Sequence, residues 1–345
     1  MQAMVADRYP LLRHFPALAS LAPVQQCELP TAVSAFTAVN HLWIKRDDQT
    51  RSDQGGNKPR KLEFVLADIR RRKANRVITF GATGTNAGVA TALMCQREKL
   101  HCHIITFPQP VSDVVRSNSE IMQRAGARMT ARSSLFSAAL SWYLHPRRLD
   151  PKSYFLYPGC SAPVATFAYI NAMFELDLQI SAGALPAPDH IVVAAGSGAT
   201  VAGIAIGAAL LLPHCRVHAV QVAPAKVGLF NACHPDIVAS MIQRAWRTLK
   251  QTADADAPFT EALLKITPTM QWHNEWLGEG YGEVTTAAAL AIQIAADHGL
   301  TLEMTYSGKA FAAALAMSEQ QAGKVLFWNT YSPAALRGGG LSAQE

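Results

Sequence analysis

The chain has 345 residues, half of them apolar and only 16% charged, which excludes an intrinsically disordered chain and a coiled coil. Its net charge of +6, from 31 basic and 25 acidic residues, is a mild bias that suits anionic small molecules and is too weak to mark a nucleic-acid binder. Residues 1–8 have neither the charged start nor the apolar core of a signal peptide, six cysteines fall at no CxxC spacing, and the eleven histidines are scattered. The expectation is a cytosolic protein with reduced, mostly buried thiols, no metal, and no function for its histidines.

In chain order, a strand is predicted at His41–Ile44, a helix at Arg60–Arg72, a strand at Val77–Phe80 and a helix at Asn86–Lys99. A strand at His103–Phe107 and helices at Ser117–Ala125 and Val164–Leu178 follow. Next come a strand at Ile191–Ala194, a helix at Val201–Leu212 and a strand at Val217–Val222. Helices at Glu283–Gly299 and Ala310–Gln320 and a strand at Val325–Trp328 complete the pattern. Apolar strands alternating with helices predict α/β architecture with mostly parallel sheets covered on both faces. The uncharged stretch Ile191–Leu212 has the length of a membrane span. The turn Gly196-Ser197-Gly198 splits it into strand, loop and buried helix, so no membrane segment is expected. Arg70-Arg71-Arg72-Lys73 reads as a solvated helix end, Asp47-Asp48 as the opening of a turn, and Trp272–Trp276 as packing under a long loop.

Three strand-to-helix junctions carry polar, glycine-rich sequence, and ligands of open α/β sheets sit at such loops. Gly196-Ser197-Gly198-Ala199-Thr200 offers close backbone approach, two hydroxyls and a helix start, which together suit a phosphate. Val201 stands where a dinucleotide fingerprint needs a third glycine, and no GxxxxGK[ST] loop exists, so nucleotide cofactors are excluded. Gly81-Ala82-Thr83-Gly84-Thr85-Asn86 is a second such junction, with Asn86 as its expected helix cap. The third, Gly55-Gly56-Asn57-Lys58-Pro59-Arg60-Lys61-Leu62-Glu63, puts two lysines on one helix side, one able to bind covalently and the other to meet an anion.

This third motif resembles the pyridoxal phosphate (PLP) lysine motif of the D-cysteine desulfhydrase and 1-aminocyclopropane-1-carboxylate (ACC) deaminase family, fold type II PLP enzymes of the tryptophan-synthase-β-like kind. Matches to that family continue in order through Gly81–Asn86, Pro158–Ser161, Gly196–Gly203, Gly280–Gly282, Tyr306–Lys309 and Asn329–Thr330. The resemblance implies two domains, each with a mostly parallel twisted sheet flanked by helices: a large PLP-binding domain of residues 1–60 and 167–345 and a small one of residues 61–166. It implies that Lys58 holds PLP as a Schiff base, that Lys61 and the loop Gly196, Ser197, Gly198, Ala199 and Thr200 bind its phosphate, and that Asn86 meets its ring hydroxyl. Thr85 would stand beside the substrate carboxylate, Tyr281 and Tyr306 would line the reacting side, and Thr330 would face the pyridine nitrogen.

The implied activity is α,β-elimination from a small amino acid, D-cysteine desulfhydrase-like, in a cytoplasmic homodimer without nucleic-acid or membrane partners. ACC deamination, or another fold type II elimination or replacement, is the alternative, and a non-catalytic PLP-binding homologue is a third reading. Departures from the family pattern are Thr85 for serine, Gly84 for glutamine, Ser307 for the glutamate of ACC deaminases, and Tyr331-Ser332 for Gly-Gly. ACC deaminases also carry a larger apolar residue at the position of Thr330. Ser307 and Thr330 favour elimination over ring opening.

Overall fold

A computed structural model describes residues 8–21, 23–52, 55–227, 230–253, 259–280, 282–320 and 323–332. Its strands are β1 (Val33–Ala35), β2 (Leu42–Arg46), β3 (Arg76–Ala82), β4 (His101–Phe107), β5 (Arg128–Ala131), β6 (Ser153–Phe155), β7 (His190–Ala195), β8 (Arg216–Gln221), β9 (Lys226–Val227), β10 (Phe230–Asn231), β11 (Gln271–His273) and β12 (Val325–Asn329). Its helices are α1 (Pro10–His14), α2 (Asn57–Arg71), α3 (Asn86–Arg97), α4 (Asp113–Arg124), α5 (Leu135–Tyr143), α6 (Ala165–Ser181), α7 (Ala199–Leu211), α8 (Pro235–Thr252), α9 (Thr260–Lys265), α10 (Thr286–Asp297) and α11 (Ser307–Glu319).

The strands build a six-stranded sheet in the order β1-β2-β12-β7-β8-β11, a four-stranded sheet in the order β5-β4-β3-β6, and a small β9–β10 ribbon. Every pairing in the two larger sheets is parallel except β1 with β2. Parallel strands end at one edge, so the segments after β2, β12 and β7 gather there, as do those after β3 and β6 in the smaller sheet. Ile191 and Val193 face the cluster built with α6 and α7, whereas Val192 faces the one built with α10 and α11. A parallel sheet buried on both faces follows from its unbroken apolar strands. Helices α6 and α7 pack closely, because a Cβ on Gly203 would lie 2.4 Å from Tyr169 Cβ and one on Gly207 2.3 Å from Met173 Cβ. The stretch Ile191–Leu212 thus resolves into β7, a turn and α7. Among the described residues no helix is long and apolar enough to cross a membrane.

Caps account for shifted boundaries. Helix α4 begins at Asp113, ahead of the predicted Ser117, where Ser112 accepts from Val115 N. Helix α10 begins at Thr286 behind Thr285, which accepts from Ala288 N at 3.1 Å, so Glu283 lies outside it. The expected cap Asn86 is corrected: Thr85 caps α3, accepting from Gly88 N at 3.4 Å, and Asn86 is the first helical residue. Helix α8 is absent from the predicted elements although Val238, Ile242, Ala245, Trp246 and Leu249 form its buried stripe. The strands β5, β6 and β11 are too short for an alternating pattern to mark them. The basic run ends α2 as expected, with Arg71 and Arg72 paired to Asp68. All six cysteines are free thiols, only Cys215 partly exposed.

The histidines are not all scattered in space. Register places Val192 opposite His218 and His218 opposite Gln271, so the period of two puts His190, His218 and His273 on one sheet face. His190 Nδ1 and His218 Nε2 are 2.9 Å apart, as are His218 Nδ1 and His273 Nε2, and His273 Nδ1 lies 2.8 Å from Glu275 Oε1. A carboxylate only accepts, so His273 Nδ1 donates to Glu275, His218 Nδ1 to His273 and His190 Nδ1 to His218. A proton added to His218 would set two N–H groups against each other. Burial, then the neighbouring imidazoles, push His218 down to about 4. The folded protein then binds fewer protons than the unfolded chain between pH 6.5 and 4, and stability falls as pH drops through that window. His103, also held near 4 by burial and His145, adds in the same direction. Thermal melts should show the midpoint falling across this range and a shallower fall for His218→Gln; an unchanged slope in the variant would refute the row's contribution.

Candidate active site

Arg60 lies two residues beyond Lys58 on α2, and its guanidinium is 1% exposed. Its Nε donates to both oxygens of Asp47 at 3.0 Å, Nη1 to Glu175 Oε2 at 2.9 Å, and Nη2 to Asp47 Oδ1 at 2.8 Å and Glu175 Oε1 at 2.9 Å. Lys45 Nζ donates to Glu175 Oε1 at 2.6 Å, so two cations and two anions balance inside the core. Tyr169 Oη and Trp328 Nε1 each donate to Asp47 Oδ2 at 2.8 Å. Burial pushes Glu175 up, but Arg60 and Lys45 outweigh it and hold the carboxyl at about 2. This cluster ties the first turn of α2 to the end of β2, to β12 and to α6. Asp47 O also accepts from Gly56 N at 2.7 Å. Gly56 has φ +88°, and a Cβ there would lie 2.8 Å from Thr330 O, so only glycine makes this turn.

The same turn sets down the residues flanking Lys58. Asn57 N donates to Thr330 O at 3.2 Å and Asn57 Nδ2 to Thr200 Oγ1 at 3.1 Å. The third junction therefore touches the ends of both β12 and β7. Lys58 is half-buried, with its Nζ 5.8 Å from the centroid of the Tyr306 ring. Burial draws its pKa below the usual lysine value, against the opposing pull of Glu303. Lys61 is buried, donates to Gly159 O at 3.2 Å, and is pushed down to about 7 by burial and by the Lys58 charge.

Helix α7 starts behind Gly198 at φ +91°, an N-cap residue with no side chain to accept its leading N–H groups. The leading N–H groups of a helix have no acceptor within it. Ser161 Oγ and Ser197 Oγ are 2.6 Å apart. Gly159 has φ +69°, and a Cβ there would fall 2.2 Å from Ser197 Oγ. Lys61, Ser161, Ser197 and Thr200 thus surround one uncapped helix start. The ring of Tyr306 lies against Gly196, its Cε1 3.3 Å from where a Cβ would stand.

At the second junction, Asn86 Oδ1 accepts from Asn118 Nδ2 at 2.9 Å, which leaves the Asn86 amide NH2 as a donor. Thr85 spends its oxygen on the cap and keeps its hydroxyl proton. Gly84 is packed flat, since a Cβ would lie 2.7 Å from Val115 Cα, and no room exists for the glutamine of the resemblance. Cys160 Sγ, 3.6 Å from Thr91 Oγ1 on α3, is felt by both Lys58 and Lys61, so it links the start of α3 to the lysines. Burial pushes this thiol up and away from nucleophilic character. Tyr281 lies outside the described residues.

Three further features shape the site. Glu303 accepts backbone bonds beside Tyr306 and acts electrostatically on Lys58 and Tyr331. Tyr331, half-buried, is pushed up to about 12 by burial and by Glu303. Asn57 Oδ1 and Asn329 Nδ2 are buried without a partner among the described residues. Glu303 carries no sequence signal, whereas Asn57 and Asn329 lie within matched motifs and Tyr331 stands where the family pattern has glycine.

These observations fit PLP. The site offers a lysine amine held below its ordinary pKa, an uncapped helix start ringed by hydroxyls for a phosphate, and two orphaned buried amide atoms for polar ring substituents. Mostly parallel sheets, flanked by helices and meeting at such a site, define a fold type II PLP-dependent enzyme. The chain belongs to the pyridoxal-phosphate dependent enzyme family, whose model matches residues 24–330. It is 30% identical over 316 residues to the bifunctional D-cysteine desulfhydrase/1-aminocyclopropane-1-carboxylate deaminase of Arabidopsis thaliana, covering 87% of this chain and 72% of that protein. It is 28% identical over 340 residues to the D-cysteine desulfhydrase of Serratia proteamaculans, covering 94% and 96%. Among solved structures, an ACC deaminase homologue superposes with a TM-score of 0.74 at 25% identity, covering 91% of this chain and 94% of that one.

The buried cluster makes a direct prediction. Replacing Arg60 by Met leaves Asp47 and Glu175 without their shared cation and should cost about 3–5 kcal/mol in denaturant unfolding. Adding Asp47→Asn should cost less than the sum of the two single changes. A loss under about 1 kcal/mol for Arg60→Met would contradict the role given to the cluster.

Proposed function

We propose that this enzyme is a lyase that releases ammonia from a small amino acid by α,β-elimination, in the manner of the D-cysteine desulfhydrases it resembles. The observation that carries the reading is the convergence of Lys58 on the α7 start, through the 3.1 Å contact of Asn57 with Thr200, with the Tyr306 ring beside the Lys58 amine. Bound PLP supplies an aldehyde that links to amines and a ring that draws electron density from the substrate Cα. Lys58 is the attachment point, and its lowered proton affinity suits it to take the Cα proton. Lys61, Ser197 and Thr200 hold the phosphate with the amides of Gly198 and Ala199, in the cradle opened by Gly196. A dianion beside Lys61 restores the proton that burial disfavours.

Asn86 donates its amide hydrogen to the ring hydroxyl, and Thr85 donates its hydroxyl proton to the substrate carboxylate. Tyr306 and Tyr281 serve the leaving group on the reacting side. Thr330 offers the ring nitrogen a neutral hydroxyl, which withdraws less charge than an acid and favours loss of a β-substituent. With one water consumed in hydrolysis of the enamine left by elimination, the products are a 2-oxo acid, ammonia and the leaving group, sulfide for a cysteine. One observation supports ACC ring opening as a second reading: Glu303 Oε1 accepts from Ser307 N at 2.7 Å, so a carboxylate stands beside the position where ACC deaminases carry glutamate. The working unit of this reading is a cytoplasmic homodimer, each chain having residues 1–60 and 167–345 as its large domain and 61–166 as its small one, and sedimentation at a monomer's rate would contradict the dimer.

Purified protein should be yellow, and borohydride should fix the cofactor to the peptide holding Lys58. Lys58→Ala should fold, lose the visible band and release ammonia at least about a thousandfold more slowly. Among D-cysteine, L-cysteine, β-chloroalanine and ACC, ammonia release should be fastest from D-cysteine. Turnover of ACC alone would transfer the assignment to the second reading, and binding of cofactor without ammonia from any substrate would make the protein a non-catalytic homologue.

A further inference from the structure

Tyr306 stands at the N-terminal boundary of α11, yet its own side chain makes no capping bond. Helix starts need acceptors for their leading N–H groups. A carboxylate three residues upstream provides them. Glu303 Oε1 accepts from Tyr306 N and Ser307 N at 2.7 Å each, and Oε2 accepts from Thr305 N at 2.8 Å. The backbone closes the ring in the other direction, with Glu303 N donating to Ser307 Oγ at 2.8 Å and Gly308 N to Glu303 O at 2.8 Å. Five bonds therefore enclose the backbone on both sides of Tyr306. Its ring then reaches across to Gly196 and to within 5.8 Å of Lys58 Nζ.

We infer that Glu303 is a positioning residue for this enzyme, fixing the Tyr306 ring over the Lys58 amine by holding three consecutive amides. The inference rests on the proposed role of Tyr306 at the reacting side and adds the residue through which that role is exerted. The geometry has a plain consequence. Without the carboxylate, three amides at the start of α11 seek water or one another, and the ring loses its fixed direction. A displacement of about 1 Å at a reacting group lowers turnover on the order of a hundredfold. Glutamine keeps one acceptor oxygen and loses the other, so Glu303→Gln should fall between alanine and the native residue.

The test is a cycle of Glu303→Ala, Tyr306→Phe and the double variant, read in kcat and KM, together with amide hydrogen exchange over residues 305–307 in each. Glu303→Ala should lower kcat on the order of a hundredfold with KM little changed, and should abolish exchange protection at these amides. The Tyr306→Phe change should lower kcat and leave protection intact, and the double variant should be no slower than the worse single one. If Tyr306→Phe impairs turnover and Glu303→Ala multiplies that loss in full, Glu303 does not act through Tyr306 and this inference alone falls. If Tyr306→Phe turns over normally, the proposed role of Tyr306 falls and takes the inference with it. Should Glu303→Ala not fold, Glu303→Gln carries the same cycle, with partial loss of protection and of kcat expected and native values of both contradicting the inference.

Discussion

The site depends on a buried guanidinium. Arg60 is gripped by Asp47 and Glu175 on opposite sides, and Lys45 balances the charge, so the first turn of α2 cannot shift without breaking a desolvated ion cluster. Such clusters are costly to assemble, since each ion gives up its water. Their value here is geometric. Asp47 directly follows β2 and Glu175 lies on α6, and both meet the Arg60 side chain, two residues beyond Lys58; Tyr169 on α6 and Trp328 on β12 join the cluster through Asp47. The lysine thus stands on a turn of backbone held by a buried ion cluster.

From that anchor the rest of the site follows by short links. Asn57 reaches the helix start proposed for the phosphate, and Lys61 reaches the Gly159 turn that closes over Ser197. Each link crosses between segments far apart in the chain, and each is made where parallel strands end at a common edge. Burial lowers both lysines, and the charge of Lys58 lowers Lys61 further. In the proposed site, an anion beside Lys61 would relieve that repulsion and couple cofactor retention to the state of the Lys58 amine.

Much of this was legible in the sequence. The three junctions were visible as glycine-rich loops between apolar strands and helices, and the uncharged stretch from Ile191 onward betrayed its turn by Gly196 and Gly198. What remained hidden depends on distance in the chain. His190, His218 and His273 are separated by 28 and 55 residues and line up only through the register of three parallel strands. Glu303 bonds backbone amides, which leave no trace in residue identity. Asn86 reads as a cap by residue type, but the chain places Thr85 at the turn. Gly84 and Tyr331 depart from the family pattern for different reasons. The first leaves no room beside Val115, whereas the second brings a half-buried phenol into the electrostatic reach of Glu303.

The most direct test is an electron-density map of crystals of the purified protein grown with PLP. Continuous density is expected from Lys58 Nζ into the cofactor, with its phosphate oxygens within hydrogen-bonding reach of the amides that open α7 and of Ser197. Density joined to any other lysine, or a phosphate lodged away from that helix start, would contradict it.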